Sequence, residues 1–252
     1  MLKNFVKKVF NSLGYDINRI DKSINRLSFD DIHKLKIKKT NPMIFDVGAN
    51  VGQSIERFRG IFPNSTIHSF EPSVSAYDEL KKNFYNLNNV FLNNIGIGEK
   101  NTKRNFYNAA KSETSSFIKI SNNTKWIKTR SKEFNTSIQD YSKVIDETPV
   151  DSIDNYCRKN SIDYIDILKI DTQGYEEKVL IGTQNFLKNN KISIIETELI
   201  LDDVYEEHVS FFQIEKFLIT NNYRLVAVKP MIYNNLYEGN IFVVDLIYTL
   251  NK

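Results

Sequence analysis

The stretch Met43-Ile44-Phe45-Asp46-Val47-Gly48-Ala49-Asn50-Val51-Gly52 decides the fold. An apolar run broken by one acid reads as a buried strand over 43–47, and the spacing after it predicts a helix over 52–62. Two glycines make the turn between them. Glycine removes a Cβ where a ligand nears the backbone, and the helix that follows offers unpaired amides. The spacing is G-x-x-x-G, not the G-x-G-x-x-G of a dinucleotide site. An acid ahead of the turn repels a pyrophosphate but accepts hydrogen bonds from an ammonium group. The turn therefore suits a nucleoside carrying an amino acid better than a nicotinamide dinucleotide; an ordinary strand-to-helix turn is the other account.

Working outward, short β-branched or aromatic runs alternate with helical stretches, as in a parallel sheet with crossover helices. Strands are predicted at 66–70, 89–95, 164–170 and 192–197, and helices at 73–86, 152–159, 174–187 and 211–221. Closing strands at 225–228 and 241–248 are joined by a loop too short for a parallel crossover, so they form an antiparallel hairpin. The expected fold class is α/β, a doubly wound and mostly parallel sheet. Residues 96–150 show no long helical period and read as an irregular β-containing insertion, with alternating pieces at 104–107 and 116–120. Residues 1–40 are expected to be a helical appendage and connector ahead of the main domain at 41–252. Leu2, Phe5, Val6, Val9 and Leu13 fall at helical spacing among lysines. That short amphipathic helix, 1–13, either packs on the domain or makes a weak peripheral membrane contact.

The 252 residues are 41% hydrophobic and 26% charged, which excludes a fibrous or disordered chain. Lys+Arg 34 against Asp+Glu 31 leaves a formal charge of +3, too mild for coating nucleic acid, and no nucleic-acid partner is expected. The single cysteine, Cys157, rules out an intrachain disulfide and suits a reducing compartment, expected to be the cytoplasm. No apolar run approaches the roughly 20 residues of a membrane helix, and no secretory signal stands out.

Glu71-Pro72 closes the second strand about 20 residues after the glycine turn, where an acid reaches ribose hydroxyls in this topology. The alternative is a surface acid capping the helix that opens at Ser73. Given these residues, the chain resembles the FkbM family of S-adenosylmethionine-dependent methyltransferases. The likeness rests on the 46–52 turn, on Phe70-Glu71-Pro72, and on Leu168-Lys169-Ile170-Asp171-Thr172-Gln173-Gly174-Tyr175-Glu176 followed by Val179-Leu180-Ile181-Gly182. It continues in Thr197-Glu198-Leu199, in Tyr205, in the Ser115-Ser116 pair, and in the closing strand with Asp245. The resemblance implies a class I methyltransferase (Rossmann-like) fold, S-adenosyl-L-methionine as cofactor, and O-methylation of a carbohydrate or natural-product hydroxyl. The expected cofactor contacts are Asp46, Gly48, Ala49, Asn50, Gly52, Gln53, Glu71, Pro72, Ile95 and Asp171. Many relatives carry an acid where this chain has Gln173, and an alanine-like residue where it has Gly96.

Methyl transfer from a sulfonium is an in-line displacement, so alignment of the acceptor supplies much of the rate. A base that takes the hydroxyl proton adds about 10²–10⁴-fold. Asp171 ends a strand at the ligand-binding edge and is the first candidate; an N-cap for the segment opening at Gly174 accounts for it equally well. Glu198, Tyr205 and His208 are further candidates to orient and deprotonate a hydroxyl, although the Glu206-Glu207-His208 run also reads as a solvated loop. Glu176 suits its helix dipole. Asp202, Asp203, Glu206 and Glu207 match no ligand spacing, and the metal is left unknown. His33 has no partner pattern, and His68, inside a strand, reads as a packed side chain. Ser116 and Trp126 are candidate substrate contacts, the indole stacking on a sugar or base while Lys125, Lys128 and Arg130 hold a phosphate. The expected acceptor is a small-molecule sugar, nucleotide-linked or otherwise phosphorylated, used in surface polysaccharide biosynthesis. A natural-product or nucleic-acid methyltransferase, a nicotinamide oxidoreductase and a non-enzymatic cofactor-binding protein are the other readings.

Overall fold

The computed structural model describes residues 27–207, 209–230 and 241–251. The amphipathic helix expected at 1–13 and the candidate His208 lie outside the described residues.

Seven strands form one sheet in the order β3-β2-β1-β7-β8-β10-β9. They are β1 (Met43–Val47), β2 (Thr66–Phe70), β3 (Val90–Asn93), β7 (Ile165–Ile170), β8 (Ile192–Ile200), β9 (Tyr223–Pro230) and β10 (Val243–Leu250). Only β10 runs against its neighbours, pairing antiparallel with both β8 and β9. Successive strand residues point to opposite faces, so each central strand feeds two cores. Ile44, Ile167 and Ile194 join Ile55, Phe58 and Leu80 on one face; Phe45, Leu168 and Ile195 join Val179 and Leu218 on the other. Among the described residues, no helix is long and apolar enough to cross a membrane.

Helices cover both faces: α1 (Phe29–Lys36), α2 (Gln53–Ile61), α3 (Val74–Phe84), α5 (Ile153–Lys159), α6 (Glu176–Ile181), α7 (Gln184–Lys188) and α8 (Phe211–Thr220). Ser73, Ser152 and Ser210 cap α3, α5 and α8 by accepting from backbone amides in the first turn. The single helix expected at 174–187 is two, with a later start. Gln173 and Gly174 hold positive φ, which delays α6 to Glu176. A Cβ on Gly182 would lie 1.9 Å from the Gly98 carbonyl oxygen. Beyond it, the Asp154 carboxylate accepts from the amides of Asn185 (2.9 Å) and Phe186 (3.2 Å) and opens α7.

Between β3 and α5 lie β4 (Gly96–Ile97), β5 (Thr102–Ala109), α4 (Lys125–Glu133) and β6 (Ser142–Asp151), the strands forming a second sheet in the order β4-β6-β5. Strands β5 and β6 are antiparallel. Helix α4 was not expected: Trp126 and Ile127 are its only buried apolar residues, too few to show a period. The alternating piece at 116–120 is not a strand. It makes single bridges from Ser116 to Tyr107 and from Ile120 to Tyr205, while Phe117, Ile118 and Ile120 enter the core.

Helix α1 is fastened to the sheet by a buried acid. Arg57 donates to both Glu196 oxygens at 2.6 and 3.0 Å and to Asp30 at 2.8 Å, and His33 Nε2 lies 3.1 Å from Glu196. Burial alone would raise the Glu196 carboxyl, but His33 and Arg57 outweigh it and hold it down at about 2. Removing one partner of a buried pair leaves an uncompensated charge. Arg57→Ala is therefore expected to lower unfolding free energy by about 3 kcal/mol, read from the denaturant midpoint at unchanged slope. Arg57→Lys should recover only part of the loss, because an ammonium cannot fork onto both oxygens.

Candidate active site

The strand order reverses between β1 and β7, and a crevice opens beyond their carboxyl ends, where ligands bind in open α/β sheets. Here it is a cleft of about 400 Å³. Its floor is the turn after β1. Gly48 has φ +86°, and a Cβ there would fall 1.9 Å from the Asp171 carbonyl oxygen, so only glycine lets β1 and β7 end this close together. The Gly48 and Ala49 amides donate to the Phe70 carbonyl at 3.0 and 3.1 Å, tying the turn to β2.

Of the expected cofactor contacts, Gly48, Ala49, Asn50, Gln53, Glu71, Pro72 and Asp171 line this cleft. Glu71 is buried, each oxygen accepting one backbone amide at 2.8 Å, from Asn50 and from Ser73. A carboxylate retains further lone pairs, so Glu71 can still accept from a diol. Burial, only partly offset by those amides, pushes its carboxyl up to about 7. Asn50 Oδ1 is buried without a partner, an acceptor awaiting a donor.

Three expected contacts stand elsewhere. Asp46 is fully buried behind the turn, not on the cleft wall, and its oxygens have no hydrogen-bond partner. Lys169 Nζ stands 3.7 Å from it, too far for a hydrogen bond. Lys169 therefore stands between Asp46 and the cleft. Gly52, at φ +103°, packs on the Phe84 ring. Ile95 packs against the core, and Gly96 and Ile97 take its place on the wall.

The opposite wall gathers charge. Lys169 lines the cleft with its ammonium 3.2 Å from Asp171 Oδ2. Burial alone would lower the Lys169 ammonium, but Asp171, Asp46 and Glu196 outweigh it and raise it further. Asp171 Oδ1 accepts from Gln173 Nε2 at 3.0 Å, so Asp171 is no helix cap; α6 begins five residues later. The same Gln173 nitrogen donates to Glu198 Oε1 at 2.6 Å. Burial, with Asp171 and Asp245 nearby, pushes the Glu198 carboxyl well above the usual range. Asp245 faces Glu198 across the β8–β10 pair and is itself raised to about 6, chiefly by burial. Glu176 Oε1 gathers the Thr172 and Gly174 amides at 3.0 and 3.1 Å and fixes the turn that carries Asp171 and Gln173.

Tyr205 is buried and stands off the cleft wall. Its hydroxyl lies 3.0 Å from the Thr114 carbonyl and 3.2 Å from Gln173 Oε1, and burial raises it well above 10. Ser116 is also turned inward, donating to the Thr172 carbonyl at 3.3 Å, and its neighbour Ser115 lines the cleft instead. Trp126 does line it, edge-on to Tyr141 and with Arg130 over its ring at 5.9 Å, so no open indole face is offered for stacking. Lys125, Lys128 and Lys132 point outward; Arg130 and Lys111 are the cations of this wall. His68, with Nδ1 2.8 Å from the Tyr156 hydroxyl and stacked on Phe91, is a packed side chain. No cluster of three or more His, Cys, Asp or Glu suited to a metal ion occurs among the described residues.

Sequence reasoning passed over Lys169 and Lys111. A lysine inside an otherwise apolar central strand was itself a signal, since a buried charge requires a partner. Lys111 carried none.

A family profile described as the Methyltransferase FkbM domain matches residues 46–225. The chain is similar to the 2-O-methyltransferase NoeI of Sinorhizobium fredii, 24% identical over 174 residues, 68% of each protein. It is also similar in structure to a methyltransferase FkbM from Methylobacillus flagellatus, with a TM-score of 0.54 at 13% identity. That match covers 85% of this chain and 45% of the other, so this chain spans under half of that protein. The sheet is that of the class I methyltransferases. An unpaired acceptor on Asn50, a diol-sized acid at Glu71 and a backbone approach open only to glycine fit an adenosyl amino acid.

Ribose hydroxyls donate best to ionised Glu71, whose carboxyl sits near 7, so affinity is expected to fall as pH drops below that value. Calorimetry with S-adenosylhomocysteine should show about tenfold weakening per unit from pH 6.5 to 5.5. Glu71→Gln should bind more weakly at pH 8 and lose most of this dependence.

Proposed function

Since the chain belongs to the FkbM methyltransferase family and its methyl donor is S-adenosyl-L-methionine, we propose that it methylates a sugar hydroxyl on an acceptor that carries a phosphate, such as a nucleotide-linked sugar for surface polysaccharide. The observation carrying this reading is that Asp171 and Glu198, joined by one amide, share a cleft with Lys111 and Arg130. Carboxyl groups suit a hydroxyl nucleophile; the cations suit a phosphate. Arg130 Nη1 is drawn to Glu133, but a guanidinium carries five N–H donors, and Nε is buried without a partner. That a similar protein is a 2-O-methyltransferase supports oxygen as the atom methylated.

The bound cofactor supplies an electrophilic methyl group. The cofactor end is held by the 48–53 turn and Glu71, the Asp171 and Glu198 carboxyls face the acceptor, and the insertion closes over it. Asp171 takes the hydroxyl proton while Lys169 steadies its second oxygen. Glu198, raised enough to keep its own proton at neutral pH, donates to the acceptor instead of competing as a base.

Incubation with the labelled methyl donor and a panel of free sugars, sugar phosphates and nucleotide sugars tests the reading. Label on phosphorylated acceptors is expected, and label only on unphosphorylated ones would overturn the phosphate assignment. Asp171→Asn should cut kcat by roughly 10²–10⁴-fold while S-adenosylhomocysteine affinity changes little. Arg130→Gln should raise KM for the phosphorylated acceptor by about tenfold.

A further inference from the structure

Four polar contacts link the insertion to the carboxyl pair. The 3₁₀ turn Ser112–Thr114 forms part of the acceptor wall, and the Thr114 carbonyl meets the Tyr205 hydroxyl at 3.0 Å. That hydroxyl also meets Gln173 Oε1 at 3.2 Å, its one proton shared between the two carbonyl oxygens, and Gln173 Nε2 meets Asp171 at 3.0 Å and Glu198 at 2.6 Å. A primary amide has two N–H donors, and both are spent on carboxyl oxygens. Its one carbonyl accepts the phenol. Gln173 therefore has no rotational freedom while Tyr205 is in place, and Tyr205 is itself buried, its ring against Gly174 and its backbone bridged to Ile120.

We propose that Thr114, Tyr205 and Gln173 form a positioning strap that holds the Asp171 and Glu198 carboxyl groups toward the acceptor and ties their orientation to the insertion wall. The strap rests on the proposed role of those two carboxyl groups; Tyr205 stands off the cleft and acts through the pair, while Gln173 lines the cleft beside both carboxyl groups and holds them. Charged groups bearing on the pair from packed elements are Lys169, Asp46, Glu196, Asp245, Lys229 and Glu176. None of them reaches Gln173 by a hydrogen bond, so its amide oxygen is held by the phenol and its amide nitrogen by the two carboxyl groups.

The test compares the full-length protein with Tyr205→Phe, Gln173→Met and the double variant. Tyr205→Phe keeps the ring and loses only the hydroxyl. With an acceptor found in the panel, Tyr205→Phe is expected to lower kcat roughly 10- to 100-fold, with KM for the methyl donor within about twofold. The double variant should be no slower than Gln173→Met alone, because the two side chains act in one line. A second readout needs no acceptor: carboxyl titration by ¹³C NMR of glutamate- and aspartate-labelled protein. Loss of amide donors removes support for the ionised forms, so the pair's titration should move to higher pH in both single variants. A folded Tyr205→Phe protein whose titration matches the parent overturns the strap, as does additivity of the two kcat losses. If no hydroxyl acceptor is methylated, the proposed function fails, and the titration alone still decides the strap.

Discussion

One buried ammonium holds the site together. Lys169 lies in the central strand β7, and Asp46 of β1, Asp171 at the end of β7 and Glu196 in mid-β8 stand around it. Removing several carboxyl groups from water into a protein edge is costly unless a countercharge lies among them. Without Lys169 the acids would have to neutralise by taking up protons, and Asp46, already raised by burial, would do so first. The lysine thus lets an acid-rich edge coexist with an apolar strand buried on both faces. It also relates the two halves of the cleft, since one ammonium faces the acid under the glycine turn and the acid beside the acceptor.

The cofactor half was legible because its constraints fall on the backbone, and backbone constraints leave residue-type signatures. Gly48 must be glycine when a carbonyl stands where its Cβ would be, and a positive φ at Gly52 carries the same mark. The strand-and-helix order followed from hydrophobic periodicity, and the doubly wound sheet with its antiparallel last strand was read in advance. The acceptor half gave no such marks. Helix α4 is too polar for its period to show, and Gly182 split a helix through contact with Gly98, a residue more than eighty positions away. Side-chain direction was the other blind spot. Ser115 and Ser116 are adjacent, yet one faces the cleft and the other the Thr172 carbonyl, and residue type alone does not distinguish them.

Burial sets two residues expected to touch a ligand one remove from the cleft. Asp46 and Tyr205 stand at strand and loop ends beside the cleft, but both lie behind the groups that face it, Asp46 behind the turn and Tyr205 behind Gln173. A buried phenol raised well above 10 neither gives up nor accepts a proton near neutrality, so its hydroxyl serves as a fixed hydrogen-bonding group.

The residue type at position 173 follows from the same accounting of donors and acceptors. Asp171 and Glu198 approach it from one side with acceptor oxygens, and Tyr205 approaches from the other with a hydroxyl proton. An amide alone presents two donors on one side and an acceptor on the other. A carboxylate here would set a third acid between two carboxyl groups, and relief would require a bound cation or further protonation. Lys169 is engaged with the far oxygen of Asp171, Oδ2, while Gln173 meets Oδ1. With glutamine the pair is bridged by one neutral nitrogen, and no third acid adds to the repulsion that, with burial, already raises the Glu198 carboxyl.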